Sequence, residues 1–245
     1  SVWGYYFKRF FMKFNHKNIL VVGASSGIGK EIAQLILSEG GTVYSASRHQ
    51  PDVEVAAHFT FDASQPDTSF ISQLPELIHG IVYCPGTINL KPFNRLTSSD
   101  FQSDFQVNVL GAISLLQALQ LHLKKAKGAS VVLFSTVAAK LGMGFHSSVA
   151  VSKGAVEGLS KSLAAEWALH QIRVNVVAPS LTDTPLASFL LNTPEKQETA
   201  HKRHPIGRFG SAKEVATVAA FLLSDEASWM TGQIVGVDGG LGSLR

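Results

Sequence analysis

At 245 residues the chain is long enough for one large core, and 45% hydrophobic with 16% charged side chains excludes a disordered or fibrous polymer. The formal charge of +3 misleads: Lys8, Arg9, Lys13 and Lys17 lie in a leading segment without acids, leaving 17 basic against 18 acidic residues in the body. That balance carries no electrostatic footprint for nucleic acid, and no apolar run approaches the ~20 residues of a membrane-spanning helix. Cys84 is the only cysteine, so an intrachain disulfide is excluded and a reducing, cytoplasmic setting is expected.

Residues 1–16 read as a basic-aromatic extension ahead of a single domain over residues 17–245. Trp3, Tyr5, Tyr6, Phe7, Phe10, Phe11 and Phe14 alternate there with basic residues, and Lys8 and Arg9 interrupt any signal-peptide core. Met12 offers a start, which makes residues 1–11 an upstream extension or a cloning remnant. The competing reading is a short membrane-surface anchor.

Ile19, Leu20, Val21 and Val22 predict a strand buried on both faces. Gly23, Ala24, Ser25, Ser26, Gly27, Ile28 and Gly29 follow as a glycine-rich turn. Ile28, Ile32, Leu35 and Ile36 then recur at helical spacing over residues 27–39. Strand, glycine turn and helix together aim free backbone N–H groups and a positive dipole end at an anion, here a phosphate. Glycine is needed because a side chain would hold the phosphate off the backbone.

A second strand runs over residues 42–48, and its tip lies where an adenosine ribose is expected. Ser47 and Arg48 stand there in place of an acid. Arginine grips a 2′-phosphate through its fork of donors, so NADP(H) is favoured over NAD(H). Residues 58–63 alternate as a third strand and bring Asp62 and Ala63 to the adenine. Residues 80–84 form a fourth strand, which Pro85 and Gly86 break over the cofactor. A long helix spans residues 100–124 with Asn108 in its middle, where a polar residue facing the core needs a partner. A fifth strand (130–136), a helix carrying Lys153 (148–169) and a sixth strand (173–179) follow. Residues 180–209 hold Pro185, Pro194 and Pro205 with little regular apolar pattern, as a mobile substrate loop would. A helix over 211–223 and a seventh strand over 233–240 complete the chain. Strands alternating with helices through short connections imply one doubly wound, seven-stranded parallel sheet with helices on both faces.

From about Lys17 to Gly242 the chain resembles the short-chain dehydrogenase/reductase family. G-A-S-S-G-I-G matches its cofactor turn, Asp62-Ala63 its adenine-binding acid, and Asn108 in F-Q-V-N-V-L-G-A its helix-kink asparagine. Lys153 in V-S-K-G-A-V-E-G-L-S matches the lysine that binds the nicotinamide ribose. Pro179, Thr182 and Thr184 fall in a segment similar to the one holding the nicotinamide carboxamide, with Ser180 in place of the usual glycine. Tyr83, Cys84, Pro85 and Gly86 replace an N-N-A-G stretch over the cofactor. The resemblance implies a Rossmann fold, a nicotinamide cofactor, a small carbonyl or alcohol substrate and a homotetramer or homodimer. The helices holding Asn108 and Lys153 would form a shared bundle, with the C-terminal strand as a second interface.

The same resemblance exposes a departure. The family's catalytic tyrosine stands four residues before its lysine, a position held here by Val149. Thr136 holds the position of the catalytic serine, with Ser135 beside it. Hydride delivery to a carbonyl leaves an alkoxide that needs a proton, and valine has none to give. Losing a positioned general acid costs roughly 10²- to 10⁴-fold in rate. Three substitutes present themselves. His146, seven residues before Lys153, has a spacing similar to the tyrosine of the related enoyl reductases, although a structural loop histidine fits as well. Asn108 and Lys153 are placed to hold a relaying water with Thr136 as oxyanion donor. Tyr83 is the third, against a simpler reading as a packed strand-end aromatic. Cys84 reads as a buried structural thiol, and His201 to His204 as a solvated basic loop rather than a metal site. An NADP(H)-dependent oxidoreductase is expected. A catalytically silent NADP(H) sensor or scaffold and an enoyl-type C=C reductase are the alternatives.

Overall fold

A computed structural model describes residues 12–244; the expectations for residues 1–11 lie outside the described residues. In chain order the elements are β1 (Asn18–Val22), α1 (Gly27–Ser38), β2 (Thr42–Ser47), β3 (Ala57–Thr60), β4 (Gly80–Tyr83), α2 (Ser98–Phe105) and α3 (Gly111–Ala126). They continue with β5 (Ser130–Phe134), α4 (Ser147–Trp167), β6 (Arg173–Pro179), β7 (Thr182–Asp183), α5 (Pro194–Arg203), β8 (Gly210–Ser211), α6 (Ala212–Leu223) and β9 (Ile234–Val237). Seven strands pair in parallel in the order β3-β2-β1-β4-β5-β6-β9, and β7 and β8 make a separate short ladder.

Alternation along the strands explains the two-sided burial. Leu20 and Val22 of β1 join Ile81, Tyr83, Val131 and Leu133 in a core closed by Leu115, Leu119 and Leu123 of α3 and by Val156 of α4. Ile19 and Val21 point the other way, into a core with Ile32 and Ile36 of α1 and Val215, Ala219 and Leu222 of α6. The expected doubly wound sheet is therefore present, with α3 and α4 on one face and α1 and α6 on the other. β1 pairs with β2 on one side and β4 on the other, so the winding reverses there. The carboxyl ends of β1 and β4 thus open a crevice where such sheets bind ligands.

Five local expectations change. The long helix around Asn108 is two helices joined by a π-turn over Gln106–Leu110. The Tyr83 hydroxyl donates to the Val107 carbonyl inside that turn at 2.6 Å. A Cβ on Gly111 would stand 2.4 Å from the same hydroxyl, so only glycine lets the helix resume there. Residues 180–209 are structured rather than an irregular loop: β7, a 3₁₀ turn over Pro185–Leu190 and α5, whose Thr193 accepts from the Lys196 N–H behind Pro194. β3 stops at Thr60, two residues short of Asp62, and β9 spans Ile234–Val237 because Gly239 and Gly240 turn into positive φ. Phe14, expected in the extension, is 1% exposed and joins the core beneath α1, while the Phe14 N–H bonds the Glu39 carbonyl.

Removing the Tyr83 hydroxyl leaves a buried carbonyl without its donor. Tyr83→Phe is expected to lower stability by about 1–3 kcal/mol in urea denaturation. An unchanged midpoint would mean that the π-turn holds its shape without the phenol.

Candidate active site

The turn between β1 and α1 is shaped for close approach. Gly23 and Gly27 have φ of +85° and +54°, and a Cβ on Gly29 would lie 2.2 Å from the Gly23 carbonyl oxygen. Ser26 caps α1 with extended backbone and no side-chain hydrogen bond, and the first turn carries no acid. The N-terminal N–H groups of a 12-residue helix are thus left facing outward with their dipole unneutralised. Ser25 is half-buried beside them. At the tip of β2 the Ser47 hydroxyl is turned inward to the His49 carbonyl at 2.8 Å, whereas Arg48 is exposed. Asp62 is exposed and accepts from the Ser64 N–H and hydroxyl at 2.8 and 2.7 Å. Those bonds, helped by the Arg48 charge, hold its carboxyl below the usual range. Ala63, largely buried, offers its carbonyl to Gln106 Nε2 at 3.4 Å.

At the other end of the crevice α4 carries Lys153, 7% exposed, whose Nζ donates to the carbonyl of Phe134 at the end of β5 at 2.9 Å. Burial pulls this ammonium down to about 8, although Cys84 and Asp104 both favour its charged form. A Cβ on Gly86 would stand 3.4 Å from both Lys153 Nζ and Asn108 Oδ1, which places the three around one small opening. Asn108 Nδ2 donates to Ser152 Oγ at 2.9 Å and to Thr87 Oγ1 at 3.1 Å, and its Oδ1 accepts from the Thr87 N–H at 3.2 Å. Asp104, 2% exposed, accepts the Thr87 hydroxyl at 2.7 Å on one oxygen and the Ser148 hydroxyl at 2.5 Å on the other.

A cavity of about 910 Å³ opens over this cluster. Ile28 of the glycine turn, Cys84, Gly86, Thr136, Val149, Lys153, Pro179, Thr182 and Thr184 all contribute to its wall. The outer wall is mostly apolar, with Ile88, Leu90, Leu141, Met143, Leu186 and Leu190. Glycine turn and buried ammonium therefore share one continuous crevice.

The comparisons with known proteins agree with that geometry. A family model described as Enoyl-(Acyl carrier protein) reductase matches residues 23–242. The 3-oxoacyl-[acyl-carrier-protein] reductase of Thermotoga maritima is 34% identical over 247 residues, covering 94% of this chain and 99% of that protein. Ligand-free aldohexose dehydrogenase of Thermoplasma acidophilum superposes with a TM-score of 0.89 at 30% identity, covering 96% of this chain and 97% of that one. A gluconate 5-dehydrogenase of Burkholderia cenocepacia, solved with NADP and tartrate, gives 0.87 at 25% identity over 96% of this chain and 98% of that one. The chain belongs to the short-chain dehydrogenase/reductase family.

Within this dehydrogenase/reductase scaffold the sequence-predicted residues fall into three groups. Asn108, Lys153 and Thr136 come together under the cavity. Thr136 Oγ1 accepts from the Ala138 N–H at 3.3 Å, which leaves its own proton free to donate, whereas Ser135 is turned away to Glu157 at 2.8 Å. His146 lines the cavity as the N-cap residue of α4, with Nδ1 donating to the Gly144 carbonyl at 2.6 Å. Tyr83 is not brought to the site: its hydroxyl serves the π-turn, and burial raises its pKa beyond use. The Cys84 thiol faces the crevice, but desolvation by burial pushes it up to about 12, so it is an inert wall.

His204 corrects the solvated-loop expectation. It is 2% exposed, donates from Nδ1 to the Ala200 carbonyl at 2.7 Å and meets the Ser180 hydroxyl through Nε2 at 2.8 Å. His201 stacks on Phe209 with centroids 5.0 Å apart. Among the described residues no group of three or more His, Cys, Asp or Glu is arranged for a metal, and no helix is long and apolar enough to cross a membrane.

Sequence reasoning missed Asp104, Thr87, Ser148 and Ser152. Asp104 near the end of α2 and Asn108 in the π-turn are four residues apart, as are Ser148 and Ser152 on α4, and the two pairs face each other. That spacing was the available signal. Replacing Asp104 strips the buried Ser148 hydroxyl and the half-buried Thr87 hydroxyl of their acceptor, so Asp104→Ala is expected to cost about 1–3 kcal/mol in chemical denaturation. A neutral result would show that water satisfies both hydroxyls.

Proposed function

We propose that the protein is an NADP(H)-dependent oxidoreductase that interconverts an apolar carbonyl compound and its alcohol. The observation that carries the reading is the shared crevice: an anion-ready glycine turn at one end and, at the other, a buried ammonium beside Asn108 with Thr136 in the same wall. The residues fit a dinucleotide. Gly23, Ser25, Ser26, Gly27, Ile28 and Gly29 would face its pyrophosphate, where a Cβ at Gly29 has no room. Arg48, exposed at the β2 tip with Ser47 beside it, supports the 2′-phosphate form, and Asp62 with Ala63 supports adenine. Cys84, Pro85, Gly86, Pro179, Thr182 and Thr184 would flank the nicotinamide end. When bound, the reduced cofactor supplies hydride to the substrate carbonyl carbon. Thr136 donates a hydrogen bond to the substrate oxygen, Asn108 fixes the helix pair, and Lys153 keeps a positive charge beneath the reacting atoms. The largely apolar outer wall, which Glu195, Lys196 and Arg203 also line, favours a substrate with a large apolar part. His146 at the rim stands as the imidazole candidate for proton donation.

Val149 beside Lys153 favours one rival, a protein that binds NADP(H) without turnover. Fluorescence titration is expected to show NADPH binding tighter than NADH, and Arg48→Ala is expected to weaken NADPH about tenfold while leaving NADH unchanged. A preference for NADH removes the role given to Arg48. Turnover on a panel of apolar carbonyls decides between enzyme and silent binder. Activity only in Val149→Tyr would establish the silent binder.

A second copy of the chain is part of the same proposal. Phe105, Leu110 and Val151 are apolar residues 37%, 39% and 57% exposed on or beside the two helices that hold the site. Light scattering is expected to give a dimer or tetramer; a monomer at high concentration rules it out.

A further inference from the structure

We propose that the Lys153 ammonium itself gives the proton to the substrate oxygen, so that the lysine does the work of the acid that position 149 lacks. The inference rests on the oxidoreductase reading above and concerns the same site. Among the described residues around the opening, most other proton-bearing side chains are committed elsewhere, and the free Thr136 hydroxyl, an ordinary alcohol, can bond the substrate oxygen but is no stronger an acid than the alcohol it would have to form. The Tyr83 hydroxyl donates to the Val107 carbonyl, the Ser135 hydroxyl to Glu157, and the Ser148 and Thr87 hydroxyls to Asp104. His204 is bonded at both ring nitrogens. His146 caps α4 seven residues before Lys153, which at ~1.5 Å per residue separates them by about 10 Å along the helix axis.

Lys153 has both the protons and the opening. An ammonium carries three donors: Phe134 takes one at 2.9 Å, a cofactor ribose hydroxyl would take a second, and one is left for the substrate oxygen. The neighbour one helical turn earlier is Val149, 6% exposed and part of the same wall, whose short branched side chain ends well before a phenol would. Gly86 faces the nitrogen from across the opening with no side chain at all. The charged and titratable groups that face Nζ are the Cys84 thiol from the end of β4 and the Asp104 carboxylate from α2. Glu157, a turn further along α4, is turned to Ser135 and lies 4.0 Å from Lys140.

The step balances without a further reagent. With a bound reduced nicotinamide as the reductant, which would be left oxidised, the carbonyl carbon would take the hydride, its π pair would move to oxygen, and that oxygen would take a proton from Nζ. The lysine is left as a neutral amine and recovers a proton from water. Desolvation lowers the ammonium to about 8, which keeps it charged at neutrality yet ready to release a proton. An acid must be protonated to act. Reduction therefore falls as pH rises through this range, and alcohol oxidation, which needs the neutral amine, rises.

Two measurements test the assignment. In the cofactor-free protein labelled with ¹⁵Nζ-lysine, NMR is expected to show one ammonium titrating near pH 8, apart from the rest and absent in Lys153→Met. A Lys153 signal that titrates with the surface lysines overturns the proposal. At saturating NADPH, Lys153→Ala is expected to lose about 10²-fold or more in kcat and to regain turnover with added primary alkylamines, the rescue tracking amine acidity. Lys153→Arg keeps charge and bulk but holds its proton, so it is expected to fold, bind NADPH and remain inactive. Turnover by wild type with no rescue of Lys153→Ala by any amine, or a pH dependence of turnover that disappears in His146→Gln, overturns the lysine assignment alone. No turnover by wild type on any carbonyl overturns the oxidoreductase reading as well.

Discussion

A cation kept out of water governs the architecture of this site. Lys153 sits at 7% exposure and, among the described residues, makes no salt bridge to a carboxylate, and an uncompensated ammonium in a protein interior costs several kcal/mol. The fold lowers that cost in two ways. The carbonyl of Phe134, last residue of β5, accepts a hydrogen bond from Nζ. The Asp104 carboxylate, held by two hydroxyls, adds a negative field without touching the lysine. What cost remains appears as a weaker hold on the proton, which is the property that acid–base chemistry near neutrality uses.

The position of that cation is set by a relay of contacts from the sheet outward. Tyr83 ends β4 and spends its hydroxyl on the Val107 carbonyl, which holds the break between α2 and α3 as a π-turn. The extra residue in the turn alters the phase of the helix, and Asn108 is 1% exposed as a result. Asn108 then reaches Ser152, the residue before Lys153, so the π-turn and α4 are coupled by a single amide. Asp104 and Ser148 repeat the coupling one turn away on both helices. Two polar pairs, each at four-residue spacing, thus face one another across a helix–helix contact and fill each other's hydrogen-bonding needs.

Much of this was legible in the sequence, because the signals were local. Four aliphatics before a glycine turn predict a strand, and two-sided burial of Ile19 to Val22 is what they produced. Asn108 in a helix demanded a partner and has three bonds. What escaped was written in pairings across the chain. Ser152 lies 44 residues from Asn108 and Ser148 the same distance from Asp104, so nothing in either segment names the other. α5 hid for a different reason: it buries only Ala200, and a helix without an apolar stripe leaves no period to read. His204, expected in a solvated loop, is joined by folding to Ser180, 24 residues away, and neither segment points to the other. Phe14 misled because its basic neighbours set the tone of the segment, while its ring answered to the core under α1.

Val149 links the chemistry to the choice of substrate. The wall around the reacting end is aliphatic from Ile88 and Leu90 to Leu186 and Leu190, and valine continues it down to the lysine. An apolar substrate that fills this volume expels water from around Nζ, and a lower local dielectric weakens the charged form of an ammonium further. A polar substrate would carry water in with it and leave the lysine more basic. If Lys153 gives the proton as proposed, Val149 would make the acidity of that cation depend on what occupies the cavity, tying apolar fit to proton transfer.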